Sequence, residues 1–215
     1  MSIIVAGGTK GGSGKTTLAA HLVVMRSTAG RDVLLVDADA QATATDFTTL
    51  RNEKRAGGAG YTSIQLSGQA VRTEVKRLAE KYDDVIVDVG GKDTAGQRAA
   101  LTIAHVVLIP VKPRSFDLWA VDNDEKLIEE ARGFNDHLKA YAFINCADPR
   151  GQDNQATADL LKERTQLAFI DTPLTYRKAF SNAVDGGLAV TEYRPEDEKA
   201  IEEIRALYKR AFSAR

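Results

Sequence analysis

Cysteine and long apolar runs are scarce in this chain of 215 residues. The single cysteine, Cys146, excludes a disulfide within the chain, and it excludes a metal or iron–sulfur site built from the cysteines of one chain. No apolar run is long enough to span a bilayer. The chain also begins without the basic segment and long apolar core of a secretion signal. We therefore expect a cytoplasmic protein.

An excess of charge of either sign is also absent. The chain carries 29 lysines and arginines against 30 aspartates and glutamates, which leaves a net charge of -1. No overall field then attracts nucleic acid or anionic lipid, so any contact with DNA requires a local basic patch. The length allows a sizeable core, and the sequence contains neither an internal repeat nor a linker. These observations predict one domain over residues 1–215.

What the chain does contain is a glycine-rich segment over residues 7–17, between a short apolar run and a helix-like stretch. A strand, a glycine-rich turn and a helix in this order wrap backbone N–H groups around phosphates. We expect Lys15 to contact the β- and γ-phosphates and the Thr16 hydroxyl to ligate Mg²⁺. The alternative is a glycine-rich turn that binds nothing. The residues predicted to hold the nucleotide are Lys10, Gly11, Gly12, Ser13, Gly14, Lys15, Thr16 and Thr17.

One lysine narrows this interpretation. The usual phosphate loop begins with glycine, whereas Thr9 stands there in this chain and Lys10 follows directly. The form Lys-Gly-Gly-x-Gly-Lys-Thr-Thr resembles the deviant Walker A loop of the ParA/MinD family of ATPases. The resemblance implies ATP and Mg²⁺ as cofactors and an ATP-dependent homodimer. It also implies catalytic roles for Lys10 and Lys15, with Lys10 reaching the phosphates held by the partner subunit. The alternative for Lys10 is a solvated loop lysine.

Apolar runs alternate with helix-like segments through the rest of the chain. The fully apolar runs at residues 33–36, 85–87 and 106–109 are typical of central parallel strands buried on both faces. Further strands are predicted, with helices between them, at residues 62–66, 141–145 and 167–170. We predict an α/β fold in which a doubly wound, mostly parallel sheet has helices on both faces. The resemblance likewise implies a P-loop NTPase of the deviant Walker A type.

Carboxylates follow two of these apolar runs, at the strand ends where ligands bind in open α/β sheets. By the resemblance, Asp39 would orient or activate the attacking water, Asp37 would support the magnesium shell, and Asp88 would hold a magnesium-bound water. The predicted metal site thus consists of Thr16, Asp37, Asp39 and Asp88. Each of the three acids could instead cap the helix that follows it, which for Asp88 begins near Asp93.

The chain departs from the family pattern after both acidic strand ends. Ala40 stands where relatives usually carry a proline, and Gly90-Gly91 stands where they usually carry two. The loop after Asp88 often senses the γ-phosphate in this family. A glycine backbone is expected to make that loop looser than in its relatives.

The C-terminal half carries the residues expected around the adenine. Asn145, at the end of its strand, resembles the residue that reads adenine in this family, and Thr172 and Pro173 are expected to edge the adenine pocket. Cys146 is interpreted as a small buried hydrophobe. Trp119 is expected in the core rather than on the dimer face, which its helix lines in relatives.

The resemblance implies a ParA-type positioning ATPase that carries plasmid or chromosomal DNA. Its ATP dimer would bind nonspecific DNA on the nucleoid, and a ParB-like partner would release it by stimulating hydrolysis. Such contacts weaken steeply with salt, and for each candidate a plain solvated surface is the alternative. The candidate DNA contacts are Arg177, Lys178, Arg194, Lys209, Arg210 and Arg215. No N-terminal segment is long enough for a helix-turn-helix, so we expect the short ParA form.

Three other functions remain open from the sequence. A MinD-like regulator that cycles on membranes needs a terminal amphipathic helix; residues 206–215 offer one, although docking of this helix on the domain is the expected outcome. ParA-like positioning of a protein assembly such as a carboxysome would use the same ATPase. The third is a metabolic enzyme that transfers phosphate to a small molecule, and Lys10 argues against it.

Overall fold

The computed structural model describes residues 1–92, 94–113, 115–151 and 153–213, and of residues 115–118 it describes the backbone alone. Two residues named above, Asp93 as a helix start and Arg215 as a DNA contact, lie outside the described residues. The described residues form eight strands and eight helices in alternation along most of the chain.

The strands are β1 (Ser2–Ala6), β2 (Val33–Ala38), β3 (Thr62–Gln65), β4 (Asp84–Val89), β5 (Val106–Val111), β6 (Lys139–Ala147), β7 (Ala168–Phe169) and β8 (Leu174–Thr175). The helices are α1 (Lys15–Thr28), α2 (Thr43–Lys54), α3 (Ala70–Ala79), α4 (Ala95–Leu101), α5 (Ser115–Arg132), α6 (Asp153–Lys162), α7 (Lys178–Asp185) and α8 (Glu198–Ser213).

The strands form a parallel sheet in which β1 is central. The order is β3-β2-β4-β1-β5-β6-β7, every neighbouring pair is parallel, and β8 pairs with the end of β6. The chain runs to β2 and β3 on one side of β1 and from β5 to β7 on the other. Such a change of direction creates a ligand crevice outside the carboxyl ends of the strands. The register brings Asp88 level with Ala6 and with Asp37.

Side chains of the strands alternate between two cores. In β1, Ile3 and Val5 belong to one core, and Ile4 and Ala6 belong to the other. The first core is covered by α3, α4, α5 and α6, and the second by α1, α2, α7 and α8. Because both faces are buried, the strands must be apolar at nearly every position. The predicted parallel α/β sheet with helices on both faces is confirmed.

The last helix, α8, is docked on the domain. Leu207 and Phe212 are buried in the second core. The guanidinium carbon of Arg26 lies 4.4 Å from the centre of the Phe212 ring, and Arg26 Nη1 donates a hydrogen bond to the Tyr208 hydroxyl at 3.2 Å. The expected docking of this helix is therefore confirmed. None of the helices within the described ranges combines the length and apolar character needed to cross a membrane.

The structure corrects the sequence analysis at several points. Trp119, expected in the core, is 67% exposed on α5. Cys146, expected to be buried, is half-buried and has a left-handed backbone with φ of 56°. The sequence analysis did not predict β8 or α7. The strand has only two residues, too few to display a period, and the helix has only eight, fewer than the 11–18 residues over which helical periodicity is judged.

Candidate nucleotide-binding site

The phosphate loop connects β1 directly to α1. Gly8, Gly12 and Gly14 have φ values of 120°, 69° and 103°, in the left-handed region that other residues disfavour. A Cβ on Gly14 would lie 2.3 Å from Nδ2 of Asn145, so only glycine fits there. The helix α1 begins at Lys15, immediately after this turn. Its first N–H groups have no partners within the helix, which makes its N-terminus a site for anions.

Asn145 joins β6 to the phosphate loop. Its Nδ2 donates a hydrogen bond to the carbonyl oxygen of Ser13 at 2.6 Å. The same side chain lines a cavity of about 200 Å³, the base-side cavity, together with Thr17, His21 and Phe180. A largely apolar wall with a few polar groups is typical of a site for an aromatic base. Asn145 thus lies between the loop and the place expected for adenine.

The walls of the base-side cavity differ in part from the prediction. Among the described residues, the segment 174–177 lines it, whereas Thr172 and Pro173 line neither it nor the cavity of about 500 Å³ beside it. The physical reason is the pairing of β8 with β6, which places residues 174–177 next to the phosphate loop. The two cavities share Lys112 and Cys146 as part of their walls.

Lys15 is only 6% exposed. Its Nζ donates a hydrogen bond to the carbonyl oxygen of Lys10 at 2.8 Å, which holds the ammonium group over the loop. Burial lowers the pKa of Lys15, and the nearby Asp88, Asp124 and Asp39 carboxylates act in the opposite direction. An ammonium group in this position is suited to the oxygens of bound phosphates.

Asp88, at the end of β4, is fully buried, and no described donor reaches either of its carboxylate oxygens with standard hydrogen-bond geometry. Burial raises the pKa of Asp88 to about 7, although the nearby Thr16 hydroxyl and Lys15 act to lower it. A buried carboxylate without donors is costly unless a cation or an ordered water meets it.

These surroundings fit Mg²⁺ held by Thr16, with a metal-bound water on Asp88. Mg²⁺ keeps several waters and takes one or two protein ligands together with phosphate oxygens. The described part of the chain contains no group of three or more His, Cys, Asp or Glu side chains that could hold a metal ion.

The two acids at the carboxyl end of β2, Asp37 in the strand and Asp39 just after it, have different surroundings. Asp37 Oδ1 accepts a hydrogen bond from the Asp39 N–H at 3.1 Å, and its Oδ2 accepts from the Thr45 N–H and hydroxyl, both at 2.8 Å. Thr45 lies in the first turn of α2, so Asp37 caps this helix, which is the alternative that the sequence left open. Asp39 is half-buried and lines a cavity of about 580 Å³, the phosphate-side cavity, opposite Lys15 and Thr16.

Asp124 is a site residue that sequence reasoning missed. It lies on α5, is 3% exposed, and its Oδ1 accepts a hydrogen bond from the Thr9 N–H at 2.6 Å. The Thr9 hydroxyl donates to the Ala120 carbonyl oxygen at 3.4 Å. Burial raises the pKa of Asp124 to about 6, against the effect of the Thr9 hydrogen bonds and of Lys15. The contact fixes the residue before Lys10 to α5, and no local sequence pattern indicates it.

The candidate DNA contacts fall into two groups. Arg177 is half-buried between Glu203 and Asp197, at 3.1 and 3.6 Å, and Arg194 pairs with Glu196 at 2.9 Å. Acids thus compensate the charge of these two arginines, and Arg177 also lines the base-side cavity. The remaining described candidates are exposed, and they are Lys178, Lys209 and Arg210.

Comparison with known proteins agrees with this geometry. A family model for the CobQ/CobB/MinD/ParA nucleotide binding domain matches residues 3–190, which include the phosphate loop and both acidic strand ends. Over 200 residues the chain is 29% identical to maintenance of carboxysome distribution protein A of Halothiobacillus neapolitanus, covering 92% of this chain and 90% of that protein. Over 188 residues it is 27% identical to protein ParA of Rhizobium radiobacter, covering 84% and 81%.

The fold is also that of a solved nucleotide complex. McdA of Cyanothece, crystallised with ATP, matches with a TM-score of 0.80 and 16% identity, covering 99% of this chain and 96% of that chain. At this level of identity the likeness shows the shared fold.

Proposed function

The chain belongs to the CobQ/CobB/MinD/ParA nucleotide-binding family, and from this premise we propose that it is a ParA-type ATPase that hydrolyses ATP to ADP and phosphate and positions a cargo. The observation that carries the proposal is the buried Asp88 carboxylate, without a described donor, beside the Thr16 hydroxyl and the Lys15 ammonium group. A phosphate loop retained only for the fold would gain nothing from an unsatisfied buried acid.

Hydrolysis requires neutralisation of the charge on the γ-phosphoryl group and a water held in line with it. Lys15 and the backbone N–H groups of residues 11–17 supply positive charge on the side of the phosphate loop. Thr16 would hold Mg²⁺, with one of its waters on Asp88, and the ion would supply further positive charge at the phosphates. Asp39 orients the attacking water across the phosphate-side cavity. Asp37 positions Asp39 by accepting its backbone N–H.

Lys10 links hydrolysis to dimerisation in this proposal. Two copies close face to face with two-fold symmetry, and Lys10 of each copy reaches the phosphates held by its twin. The exposed Trp119 on α5 supports such a face, because large aromatic side chains are enriched in protein interfaces.

The cargo that we propose is plasmid or chromosomal DNA, and the ATP dimer binds nonspecific DNA until a ParB-like protein stimulates hydrolysis. The ParA of Rhizobium radiobacter supports this choice, and the exposed Lys178, Lys209 and Arg210 supply charge for phosphate contacts. The carboxysome distribution protein supports a second candidate, a large protein assembly positioned by the same ATPase. Membrane cycling has less support, because α8 buries its apolar side in the domain.

The test measures phosphate release and sedimentation with Mg²⁺ and ATP for the wild type, Lys10→Ala and Asp39→Ala. We expect Lys10→Ala to bind ATP but to lose both the dimer and turnover. Asp39→Ala should accumulate as a dimer with little turnover, because the variant loses only the side chain that orients the attacking water. A Lys10→Ala protein with an unchanged dimer fraction would contradict the trans role, and normal phosphate release by Asp39→Ala would remove Asp39 from the reaction.

A further inference from the structure

One wall of the base-side cavity is held only weakly by the sheet. This wall, the base-side wall, is the segment 174–177, which contains β8. β8 pairs with β6 through two residue pairs only, and the register shifts between Asn145 and Ala147. The Tyr176 N–H adds one hydrogen bond, to the carbonyl oxygen of Ala147 at 2.9 Å. Strands are usually at least three residues long, so this pairing alone gives the wall little support.

Glu203, on α8, supplies the missing support from outside the sheet. The Thr175 N–H donates a hydrogen bond to Oε2 of Glu203 at 2.9 Å, and the Thr175 hydroxyl donates to Oε1 at 2.8 Å. Arg177 donates to the same Oε1 from Nε at 3.3 Å and from Nη2 at 3.1 Å. One carboxylate therefore accepts four hydrogen bonds from the base-side wall, and bonds to an ionised acceptor are stronger than neutral ones.

The helix that carries Glu203 is itself firmly placed. Ile204, the next residue on α8, is buried and lines the base-side cavity directly. Leu207 is buried in the second core, and the Tyr208 hydroxyl accepts a hydrogen bond from Arg26 at 3.2 Å. Because α8 keeps its position on the domain, Glu203 can fix the base-side wall relative to the rest of the cavity.

We propose that Glu203 is a positioning residue of the nucleotide site, through which the C-terminal helix completes the pocket for the base. The inference deepens the proposed function and rests on it, because the pocket is assigned to the base of the nucleotide. Without Glu203 the base-side wall has its binding conformation for only part of the time, and the apparent affinity falls by that fraction. The phosphates are proposed to bind at residues 11–17, which β1 and α1 hold instead. Loss of Glu203 therefore weakens binding of a nucleotide and spares binding of a bare polyphosphate.

The test is calorimetric binding of ADP and of inorganic tripolyphosphate, each with Mg²⁺. The proteins are the wild type, Glu203→Ala, Glu203→Gln and the control Glu202→Ala, whose exposed carboxylate precedes Glu203 on α8. We expect Glu203→Ala to bind ADP about tenfold more weakly, as for a wall ordered about one tenth of the time, and tripolyphosphate within about twofold of the wild type. Glu203→Gln keeps an acceptor for Thr175 and should lose less, and Glu202→Ala should match the wild type.

A second variant removes one hydrogen bond from the other side of the contact. Thr175→Val keeps the backbone N–H and the branched shape but lacks the hydroxyl that donates to Glu203. We expect it to bind ADP about threefold more weakly and tripolyphosphate as the wild type does. Circular dichroism establishes that each variant is folded, and Thr175→Val decides the question if Glu203→Ala does not fold.

The ratio of the two affinities separates a positioning role from a general role in stability, which would not distinguish the two ligands. If the wild type binds ADP and the folded variants bind it equally well, or lose tripolyphosphate to the same extent, the assignment of Glu203 is overturned while the ATPase proposal stands. If the folded wild type binds neither ligand, the ATPase proposal fails and the assignment of Glu203 fails with it.

Discussion

Asp84 and Asp88 lie at opposite ends of the strand β4, both at most 1% exposed, and their surroundings differ sharply. Asp84 accepts a hydrogen bond from the Ser2 N–H at 3.0 Å and another from Nε of Arg26 at 2.6 Å. Asp88 receives no hydrogen bond of standard geometry from the described residues. The chain satisfies the first acid internally and leaves the second without a hydrogen bond of standard geometry from the described residues. The first therefore serves the fold, and the second is the acid that we propose to serve the site.

The same contrast separates larger regions of the molecule. Away from the site, the buried Arg51 donates to the carbonyl oxygens of Ala59 and Gly187 and pairs with Glu192 at 2.7 Å, so its guanidinium group is satisfied by the chain. At the phosphate loop, the buried Ser13 hydroxyl is without a partner among the described residues. Of the described buried side-chain atoms without a partner, those of Ser13 and Asp88 lie where phosphates and Mg²⁺ are proposed to bind, His21 Nε2 belongs to a residue of the base-side cavity, and only Thr172 Oγ1 belongs to a residue outside these cavities.

The largest effect is expected when the satisfied acid is removed. Asp84→Ala leaves the Arg26 guanidinium group buried without its carboxylate, and loss of one partner of a buried pair costs about 3–5 kcal/mol. We expect the free energy of unfolding in urea to fall by this amount. Asp84→Asn, which keeps an acceptor for the Ser2 N–H, should lose less. A loss under about 1 kcal/mol for Asp84→Ala would show that this ion pair does not stabilise the fold.

Removal of the unsatisfied acid should reduce turnover and leave the stability of the fold intact. Asp88→Asn takes away a buried charge that lacks donors, so the free energy of unfolding without nucleotide should be unchanged or higher. Turnover of ATP with Mg²⁺ should fall about 10- to 100-fold, because a residue that holds a metal-bound water has been lost. Phosphate release and urea unfolding on the same preparations check both halves. Equal loss of stability in Asp84→Asn and Asp88→Asn would erase the distinction between the two ends of β4.

Asp124 is an intermediate case, since it is buried and has the Thr9 N–H as donor, but no cation of the described residues forms an ion pair with it. Its pKa is raised from 3.8 to about 6 in the folded chain. The unfolded chain releases this proton near pH 4 and the folded chain near pH 6, so ionisation of Asp124 reduces stability as the pH rises through this window.

Asp124→Asn cannot ionise, so the variant avoids this loss of stability, and its amide oxygen still accepts the hydrogen bond from the Thr9 N–H. We expect the variant to gain up to about 3 kcal/mol relative to the wild type at pH 7.5, and little at pH 4, since the pKa shift from 3.8 to about 6 is about two units and each unit corresponds to about 1.4 kcal/mol. Urea unfolding of both proteins at the two pH values measures the difference. A gain that is independent of pH would assign the effect to packing around Asp124 and not to its charge.

Much of the fold could be predicted from local patterns. The apolar run at residues 33–36 lies within the strand Val33–Ala38, and the run at residues 106–109 lies within the strand Val106–Val111. Strands buried on both faces are apolar throughout, and this signal is present in the residues themselves. The segment from β8 to α7 had no such signal, because it forms where β8 pairs with β6. The sequence placed residues 172–173 at the adenine pocket, whereas in the structure residues 174–177 line the base-side cavity.

The sequence by itself determined the phosphate loop and the placement of acids after β2 and in β4, because both depend on neighbouring residues along the chain. Only the tertiary structure decided which acids the protein satisfies internally. The donors come from other segments: Thr9 meets Asp124 across 115 positions of the sequence, and Arg26 meets Asp84 across 58. A carboxylate's role depends on the donors around it, and folding brings those donors together from positions that no local pattern connects.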